Sequence, residues 1–341
     1  MTLVADAGSE VPTPGTVMPE HRALRALAAR SDRRGLMQLA LHMGALLASA
    51  LLVAQAWGSL WLALAMPLHG ILLTFLFAPL HETIHRTAFR SRRLNDATAL
   101  LCGLALALPP EYFRAFHLAH HRHTQDPERD PELAEPKPDS MWAYVRHVSG
   151  LPYWCSRLAT LARHARGRVT EPFITPRLRP RIVREARLYL AVYALVVIVS
   201  IAAGSPAVLI FWLIPALLGQ PFLRCYLLAE HTGCPLVADM LRNTRTTRSL
   251  APVRRLAWNM PYHAEHHACP WLPFHALPAA HRLLEPAIAV QASGYLAVNR
   301  AIVGELAPRR KDHASLSPGW PARGRGRGSA RGGRLRRAER R

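Results

Sequence analysis

Long apolar runs alternate with polar and charged segments along this chain. The runs that contain no formally charged side chain are residues 36–57, 59–80, 188–203 and 206–223. A helix of about 20 residues crosses a hydrocarbon core of roughly 30 Å, so the pattern predicts four membrane spans, of which the last two are short. The connections near Gly58 and Gly204 are tight and uncharged, which predicts two helical hairpins. Residues 97–110 are apolar but too short to cross, and we expect them to form a buried or interfacial segment.

The whole chain has a net formal charge of +21, and its basic residues are concentrated in a few segments. Arginines crowd residues 21–35, the stretch after His85 and residues 157–187. Basic residues favour the cytoplasmic ends of spans, so we expect both termini and the segment between the hairpins to be cytoplasmic. The predicted fold class is an all-α integral membrane protein, in which about four transmembrane helices in two hairpins carry a cytoplasmic helical cap.

Composition divides the chain into three predicted parts. Residues 1–35 form a basic N-terminal cytoplasmic segment with an interfacial helix over 21–35, and residues 36–308 form the membrane domain. Residues 309–341 hold 12 Lys/Arg against 2 Asp/Glu and are expected to be a disordered Arg/Gly-rich tail. Such tails also bind RNA, but Trp320 is the only aromatic residue here. Attraction to anionic head groups explains the charge better, so we expect membrane lipids as partners and no nucleic acid.

Three histidine clusters flank the apolar runs. They read HETIH, HLAHH and HAEHH, and their histidines are His81, His85, His117, His120, His121, His263, His266 and His267. On a helix, positions i, i+3 and i+4 share a face, so we expect each cluster to aim its imidazoles in one direction. Imidazole suits iron, zinc, copper or nickel, and eight of them exceed the needs of one tetrahedral metal. The clusters therefore predict a centre of two metal ions at the predicted cytoplasmic surface.

The order and spacing of these clusters, with the run Tyr262-His263-Ala264-Glu265-His266-His267, resemble the membrane fatty acid desaturase and hydroxylase superfamily over roughly residues 36–290. That resemblance implies two non-haem irons held by the histidines, O2 as co-substrate and a lipid substrate. It also implies an external electron donor of ferredoxin or cytochrome b5 type with its reductase. Family members carry a further histidine shortly after the last span, and His231 matches that position, so it joins the expected catalytic and metal-ligating set.

Two other functions remain open from the sequence. A hydroxylase or ketolase of a lipid or carotenoid would begin with the same C–H cleavage as a desaturase, and the motifs do not separate them. A histidine-lined metal transporter is a remote alternative, because transport sites lie near the middle of the bilayer. The histidine clusters here lie at or beyond the ends of the predicted spans, which favours the enzyme.

Several polar residues beside the clusters are candidate supports for the histidines. An imidazole that binds a metal usually donates its other N–H to a carboxylate or carbonyl, and the nearby carboxylates are Glu82, Asp126, Asp130, Glu230 and Glu265. Asn259 is a weaker candidate for holding a water near the metals. His42 and His69 lie inside predicted spans and outside the clusters, so we expect them to be hydrogen-bonded structural residues.

Overall fold

The computed structural model describes residues 19–306 and shows an all-α membrane protein, as predicted. In this part of the chain, four helices are long and apolar enough to cross a membrane. Spans 1 to 4 are Asp32–Gln55, Leu62–His85, Arg179–Ala202 and Leu209–His231. The number of predicted spans is therefore confirmed. The predicted tail, residues 309–341, lies outside the described residues.

The helices follow one another with short connections. In chain order the α-helices are α1 Pro19–Ala26, α2 Asp32–Gln55, α3 Leu62–Thr74, α4 Phe77–His85, α5 Arg92–Leu106, α6 Pro110–His123, α7 Met141–Val148, α8 Leu151–Ala165, α9 Arg179–Ala202, α10 Ile214–His231, α11 Met240–Asn243, α12 Ala251–Leu256, α13 His263–Ala268, α14 Leu277–Leu284 and α15 Tyr295–Leu306. A π-helical turn, Leu209–Leu213, opens span 4, and 3-10 turns occupy Pro131–Ala134, Phe274–Ala276 and Glu285–Ala287. Strands β1, Thr246–Thr247, and β2, Gln291–Ala292, form a short parallel pair.

All four spans extend beyond one end of the apolar runs that predicted them, and spans 2, 3 and 4 do so by five residues or more. Span 2 continues to His85 and span 4 to His231, because the polar side chains of these last turns face other protein segments rather than lipid. His81 and His231, for example, are 2% and 3% exposed. Span 3 begins at Arg179, nine residues before its apolar run. Arginines can lie along a helix and still reach the interface with their charged ends, so charge here marks the membrane surface and not the end of the helix.

The N-terminal segment differs from its prediction. The single helix expected over residues 21–35 is interrupted, since α1 ends at Ala26 and α2 begins at Asp32. The hydroxyl of Ser31 accepts a hydrogen bond from the backbone N–H of Arg34, which is the usual way a helix begins. Leu24 of α1 is buried in one cluster with Leu277 of α14. The segment after the first hairpin forms α5, which packs beside α4 and is not among the four spans.

Span 2 is interrupted near its end, and the interruption positions the first histidine cluster. The α-helix stops at Thr74 and resumes at Phe77. Pro79 explains the site of this break, because it has no N–H to donate to the carbonyl of Phe75. Spans 2 and 4 cross at Gly70 and Gly219, where a side-chain carbon on Gly70 would lie 2.8 Å from the Gly219 nitrogen. This close approach brings the ends of the two spans together.

Candidate metal centre

The three histidine clusters and His231 meet at one end of the spans. HETIH forms the last turn of α4, HLAHH the last turns of α6, HAEHH the short helix α13, and His231 ends α10. Eight of these nine histidines are buried, and only His85 is partly exposed. The structure thus brings together every histidine that the sequence singled out for metal binding.

Five of the histidines form one compact set, which we call the five-histidine group. Its members are His81, His85, His117, His121 and His266, and one ring nitrogen from each lies within 4.8 Å of all the others. Nε2 of His121 lies 2.9 Å from Nε2 of His117 and 3.1 Å from Nε2 of His266. Three different helices, α4, α6 and α13, contribute to this group.

A second set, the three-histidine group, consists of His120, His231 and His267, whose ligand atoms also lie within 4.8 Å of one another. The ninth histidine, His263, lies at its edge. Its Nε2 is 3.2 Å from Nε2 of His231, and its ring centre is 4.5 Å from that of His267. His263 therefore adjoins the second group through His231.

The two groups divide the clusters, which differs from the expectation that each cluster aims in one direction. His117 and His121 belong to the five-histidine group, whereas His120 belongs to the other. In the same way, His266 and His267 are neighbours in sequence but lie in different groups. Each residue turns a helix by about 100°, so positions i+3 and i+4 diverge by that angle. A cluster that lies between the two groups can therefore contribute histidines to both.

The ring nitrogens fit metal ions. Several of them are buried without any hydrogen-bond partner, namely both nitrogens of His81, Nε2 of His85, His120 and His267, and Nδ1 of His121, His263 and His266. Metal–imidazole bonds of about 2.1 Å place neighbouring ligand atoms roughly 3 Å apart and opposite ones about 4.2 Å apart. The observed separations of 2.9 to 3.2 Å and the limit of 4.8 Å agree with this geometry.

Most of these imidazoles outside the spans are held in their neutral form. Burial penalises the charged imidazolium, and nearby histidines add repulsion. Together these effects lower the pKa of five histidines well below the usual value. The five are His117, His121, His263, His266 and His267. Metal ions bind the deprotonated nitrogen, so this environment prepares the rings as ligands.

His120 is the exception and has a carboxylate partner. Its Nδ1 lies 2.9 Å from Oδ1 of Asp130, and Oε2 of Glu132 is 3.8 Å away. Burial opposes the charged form, but these two carboxylates outweigh burial and raise the pKa of His120. Its Nε2 faces the three-histidine group without a partner. A carboxylate–histidine pair with a free second nitrogen is the usual support for a metal-bound imidazole.

The other residues that support the three-histidine group come from separate segments. Nδ1 of His267 lies 3.2 Å from the hydroxyl of Thr124, and Nδ1 of His231 lies 3.4 Å from the carbonyl of Asn243. The Asn243 amide also donates to the Thr124 carbonyl at 3.1 Å, which ties the two supports together. Sequence reasoning missed Thr124 and Asn243. Thr124 follows HLAHH directly and could have been considered, whereas nothing in the sequence marks Asn243.

The candidate carboxylates divide by their contacts. Asp130 supports His120, and Glu230 lies 3.5 Å from Nδ1 of His263. Glu82 is fully buried and accepts from the hydroxyl of Thr87 at 2.8 Å and from the backbone N–H of Phe274, so it was a wrong candidate for pairing with a clustered histidine. Asp126 was a wrong candidate, because it pairs with Arg129 at the surface and contacts no clustered histidine.

Glu265 of the third cluster was also a candidate support, but its hydrogen-bond partners are residues outside the clusters. Glu265 is fully buried, accepts a hydrogen bond of 2.5 Å from the hydroxyl of Thr246, and pairs with Nδ1 of His281. His281 lies outside the histidine clusters, so Glu265 was a wrong candidate for pairing with a metal-binding ring. Burial raises the pKa of Glu265 against the opposing effects of these hydrogen bonds.

Three further residues have structural contacts. The Asn259 amide donates to the carbonyl of Phe274 at 3.1 Å, so Asn259 holds a loop and was a wrong candidate for holding a water at the metals. His42 bonds the carbonyl of Leu72 at 2.9 Å, and His69 bonds Ser49. The prediction that both are hydrogen-bonded structural residues is confirmed.

An apolar groove of about 350 Å³ lies among the spans below the histidines. Its lining includes Leu46, Leu73, Leu76, Tyr193, Phe211 and Trp212. Leu76 precedes Phe77, whose ring centre lies 6.0 Å from that of His81. The groove wall at Leu76 is therefore next in sequence to a residue that packs against His81, and the lining suits a hydrocarbon chain.

Comparison with known proteins gives one match. A family model described as fatty acid desaturase matches residues 55–298, a segment that contains all nine clustered histidines and three of the four spans entirely. No curated protein sequence matches the chain.

Proposed function

Because the chain belongs to the fatty acid desaturase family, we propose that it is an O2-dependent di-iron desaturase that introduces a double bond into the acyl chain of a lipid. Membership makes the chain a membrane oxidoreductase of an iron-dependent, lipid-modifying type. The proposal adds the number of metal ions, the nine histidines as their ligands, and the double bond as product.

The observation that carries the proposal is the division of eight histidines into two groups, with His263 beside the smaller one. Each group offers converging, buried nitrogens that either have no partner or face only other histidine nitrogens, at separations suited to one metal ion. Imidazole is a common ligand of non-haem iron. All nine candidate ligands are neutral when they bind, so bound iron would supply an electron-poor centre able to activate O2 toward an unactivated C–H bond.

The protein residues around the groups hold the rings and exclude water. Asp130, Thr124 and the Asn243 carbonyl bond the outer nitrogens of the three-histidine group, which leaves the inner nitrogens free for metal. The apolar groove, whose wall at Leu76 adjoins Phe77, would hold the acyl chain with its methylene groups near the five-histidine group. A dry, shaped site of this kind positions one bond of a chain that has no polar feature of its own.

The reaction needs electrons that this chain does not store. Two hydrogen atoms leave adjacent carbons, and O2 is reduced to two water molecules, so two further electrons and two protons must be supplied. The five cysteines form no CxxC pair or other iron–sulfur ligand pattern. We therefore propose a separate ferredoxin or cytochrome b5-type donor with its reductase. The basic segments support a cytoplasmic position for the histidines and both termini, where such a donor would reach them.

Metal and product analysis of single variants tests the proposal. Purified protein should hold about two irons, and His120→Ala and His231→Ala should lower the iron content and abolish an unsaturated lipid product. His123→Ala is the matched control, because His123 lies on α6 outside both groups and should leave iron and product unchanged. One zinc without iron would refute the di-iron centre, and an alcohol in place of an alkene would identify a hydroxylase on the same scaffold.

A further inference from the structure

Unsatisfied hydrogen-bond donors gather where α8 begins beside span 4. Nε1 of Trp154, Nε of Arg157 and Nε2 of Gln220 are buried and have no acceptor. All three are donors, and the Trp and Arg groups cannot act as acceptors in any protonation state they reach in proteins. Buried donors without a partner are uncommon in proteins and costly. Three of them together indicate a site for something that accepts hydrogen bonds.

The ring of Tyr153 shows that these residues form one cluster. The guanidinium carbon of Arg224 lies 4.2 Å from its centre, that of Arg157 lies 5.7 Å away, and the ring of Trp154 is 5.4 Å away. Arg224 Nε donates to Gln220 Oε1 at 3.2 Å, which adds Gln220 to the set. We call Trp154, Arg157, Gln220 and Arg224 the donor cluster.

Gln220 provides the strongest single indication of a ligand. Its side chain is 0% exposed and packs against Gly150, the residue at which α8 begins. Arg224 can only donate, so the Gln220 oxygen must face Arg224 and its NH2 group must face away. That NH2 group has no acceptor. A fully buried amide held in this orientation is therefore ready to donate to a ligand beside the start of α8.

The charge of the donor cluster favours an anion. Arg157 and Arg224 contribute two positive charges, and the N-terminal end of the 15-residue helix α8 adds a partial positive charge. Of the residues that the structure describes, no Asp or Glu lies within 4.0 Å of either guanidinium group. Two arginines without a carboxylate partner are typical of sites that bind carboxylate or phosphate groups.

The position of the cluster connects it to the lipid substrate. Arg224 lies on span 4, seven residues before His231, which is about 10 Å along the helix axis. Trp154 packs against the same hydrophobic cluster that contains Leu76 and Leu80, and these residues flank the apolar groove and His81. The donor cluster and the groove therefore adjoin one hydrophobic cluster, which also includes Leu80, the residue before His81.

We propose that Trp154, Arg157, Gln220 and Arg224 bind the anionic head group, carboxylate or phosphate, of the lipid whose acyl chain is oxidised. This inference rests on the proposed function for the identity of the chain, but the binding site is defined by its own donors. Anchoring the head group fixes which methylene groups reach the metals, so the cluster would also determine the position of oxidation.

Ligand binding tests the proposal without requiring turnover. The purified full-length protein in nanodiscs of phosphatidylcholine would bind radiolabelled stearic acid, and competitors would be stearoyl lysophosphatidic acid, methyl stearate and inorganic phosphate. We expect at least one of the two anionic lipids to bind about 10- to 100-fold more tightly than methyl stearate, as expected for charge-assisted hydrogen bonds. The tighter of the two identifies the head group. Equal binding of methyl stearate would overturn the proposal, and inorganic phosphate competing as well as the lipids would overturn its lipid part.

Variants separate this site from general effects on folding. Arg224→Gln and Trp154→Phe should each weaken binding of the anionic lipid and raise KM with little change in kcat, whereas Arg224→Lys should restore part of the affinity. Arg166→Gln on the exposed end of α8 is the control and should change nothing. Iron content should remain that of the parent protein in all of them. Selective binding with no unsaturated product would refute the proposed function and leave this site standing, and an unchanged affinity in both Arg224→Gln and Trp154→Phe would refute the site.

Discussion

Asp130 and His120 form a buried pair in which Oδ1 of the carboxylate lies 2.9 Å from Nδ1 of the imidazole. The second carboxylate oxygen accepts a hydrogen bond from the backbone N–H of Gln125 at 2.8 Å. Hydrogen bonds from His120 and from the backbone lower the pKa of Asp130 against the opposing effect of burial. One carboxylate therefore fixes both the ring orientation of His120 and the turn that follows α6.

Replacing Asp130 with Asn should weaken metal binding at the three-histidine group. The amide cannot offer a negative charge to His120, and loss of such a supporting carboxylate typically costs 10- to 100-fold in metal affinity or activity. Iron content and product formation would be measured after dialysis against a range of free iron concentrations. Asp126→Asn is the matched control, because Asp126 is in the same loop but pairs with Arg129 at the surface. Equal iron affinity in the two variants would contradict the role of Asp130.

The comparison of Asp130 with Asp126 shows where sequence reasoning stops. Both follow HLAHH within ten residues, and nothing in their spacing distinguishes them. The backbone conformation determines which of the two reaches His120. The chain turns at Gln125, which has a positive φ of 64°, and this turn brings Asp130 back to His120. The contribution of Asn243 is equally hidden, because it depends on how residues 232–250 fold back onto the end of span 4.

The spacing of apolar residues and histidines predicts more of the fold and of the site than the loop residues do. The apolar runs predicted the four spans, and the i, i+4 spacing correctly placed His81 with His85 and His117 with His121. The same spacing could not predict that His120 would face another group, because that depends on what lies on either side of α6. The predicted ends of spans 2 and 4 were too early in the sequence. Hydropathy alone does not show that a polar helical turn is buried against other parts of the protein.

Gly219→Ala should destabilise the protein at the crossing of spans 2 and 4. A side-chain carbon at residue 219 would overlap the backbone of Gly70, and the neighbouring atoms are backbone atoms that cannot move aside alone. Overpacking of this kind costs about 1–3 kcal/mol, so the thermal midpoint in detergent should fall. Gly44→Ala provides the control, because nothing lies within 4 Å of that position on span 1. An unchanged midpoint in Gly219→Ala would show that the spans can separate without loss.

Iron removal should lower the stability of the protein. The inner nitrogens of both groups either have no partner or face only other histidine nitrogens. Bound metal therefore stabilises the folded state, by about 4 kcal/mol when free metal exceeds Kd about 1,000-fold. We expect chelation to lower the thermal midpoint and added Fe(II) to restore it. The effect should be smaller in His231→Ala, which retains only the five-histidine group. A midpoint indifferent to chelator in protein shown to lose its iron would contradict a structural role for the metals.

The orientation in the membrane can be tested with cysteine labelling. The arginines near the histidine clusters and the uncharged turn at Gly204 together predict that the clusters face the cytoplasm. In a Cys155→Ser background, which removes the exposed native cysteine, Ala203→Cys places a thiol in the turn between spans 3 and 4, and Ala134→Cys places one in the loop after α6. Both positions are exposed. A membrane-impermeant maleimide should label Ala203→Cys in intact cells and Ala134→Cys only after lysis. The reverse pattern would put the histidines outside, beyond reach of a cytoplasmic electron donor.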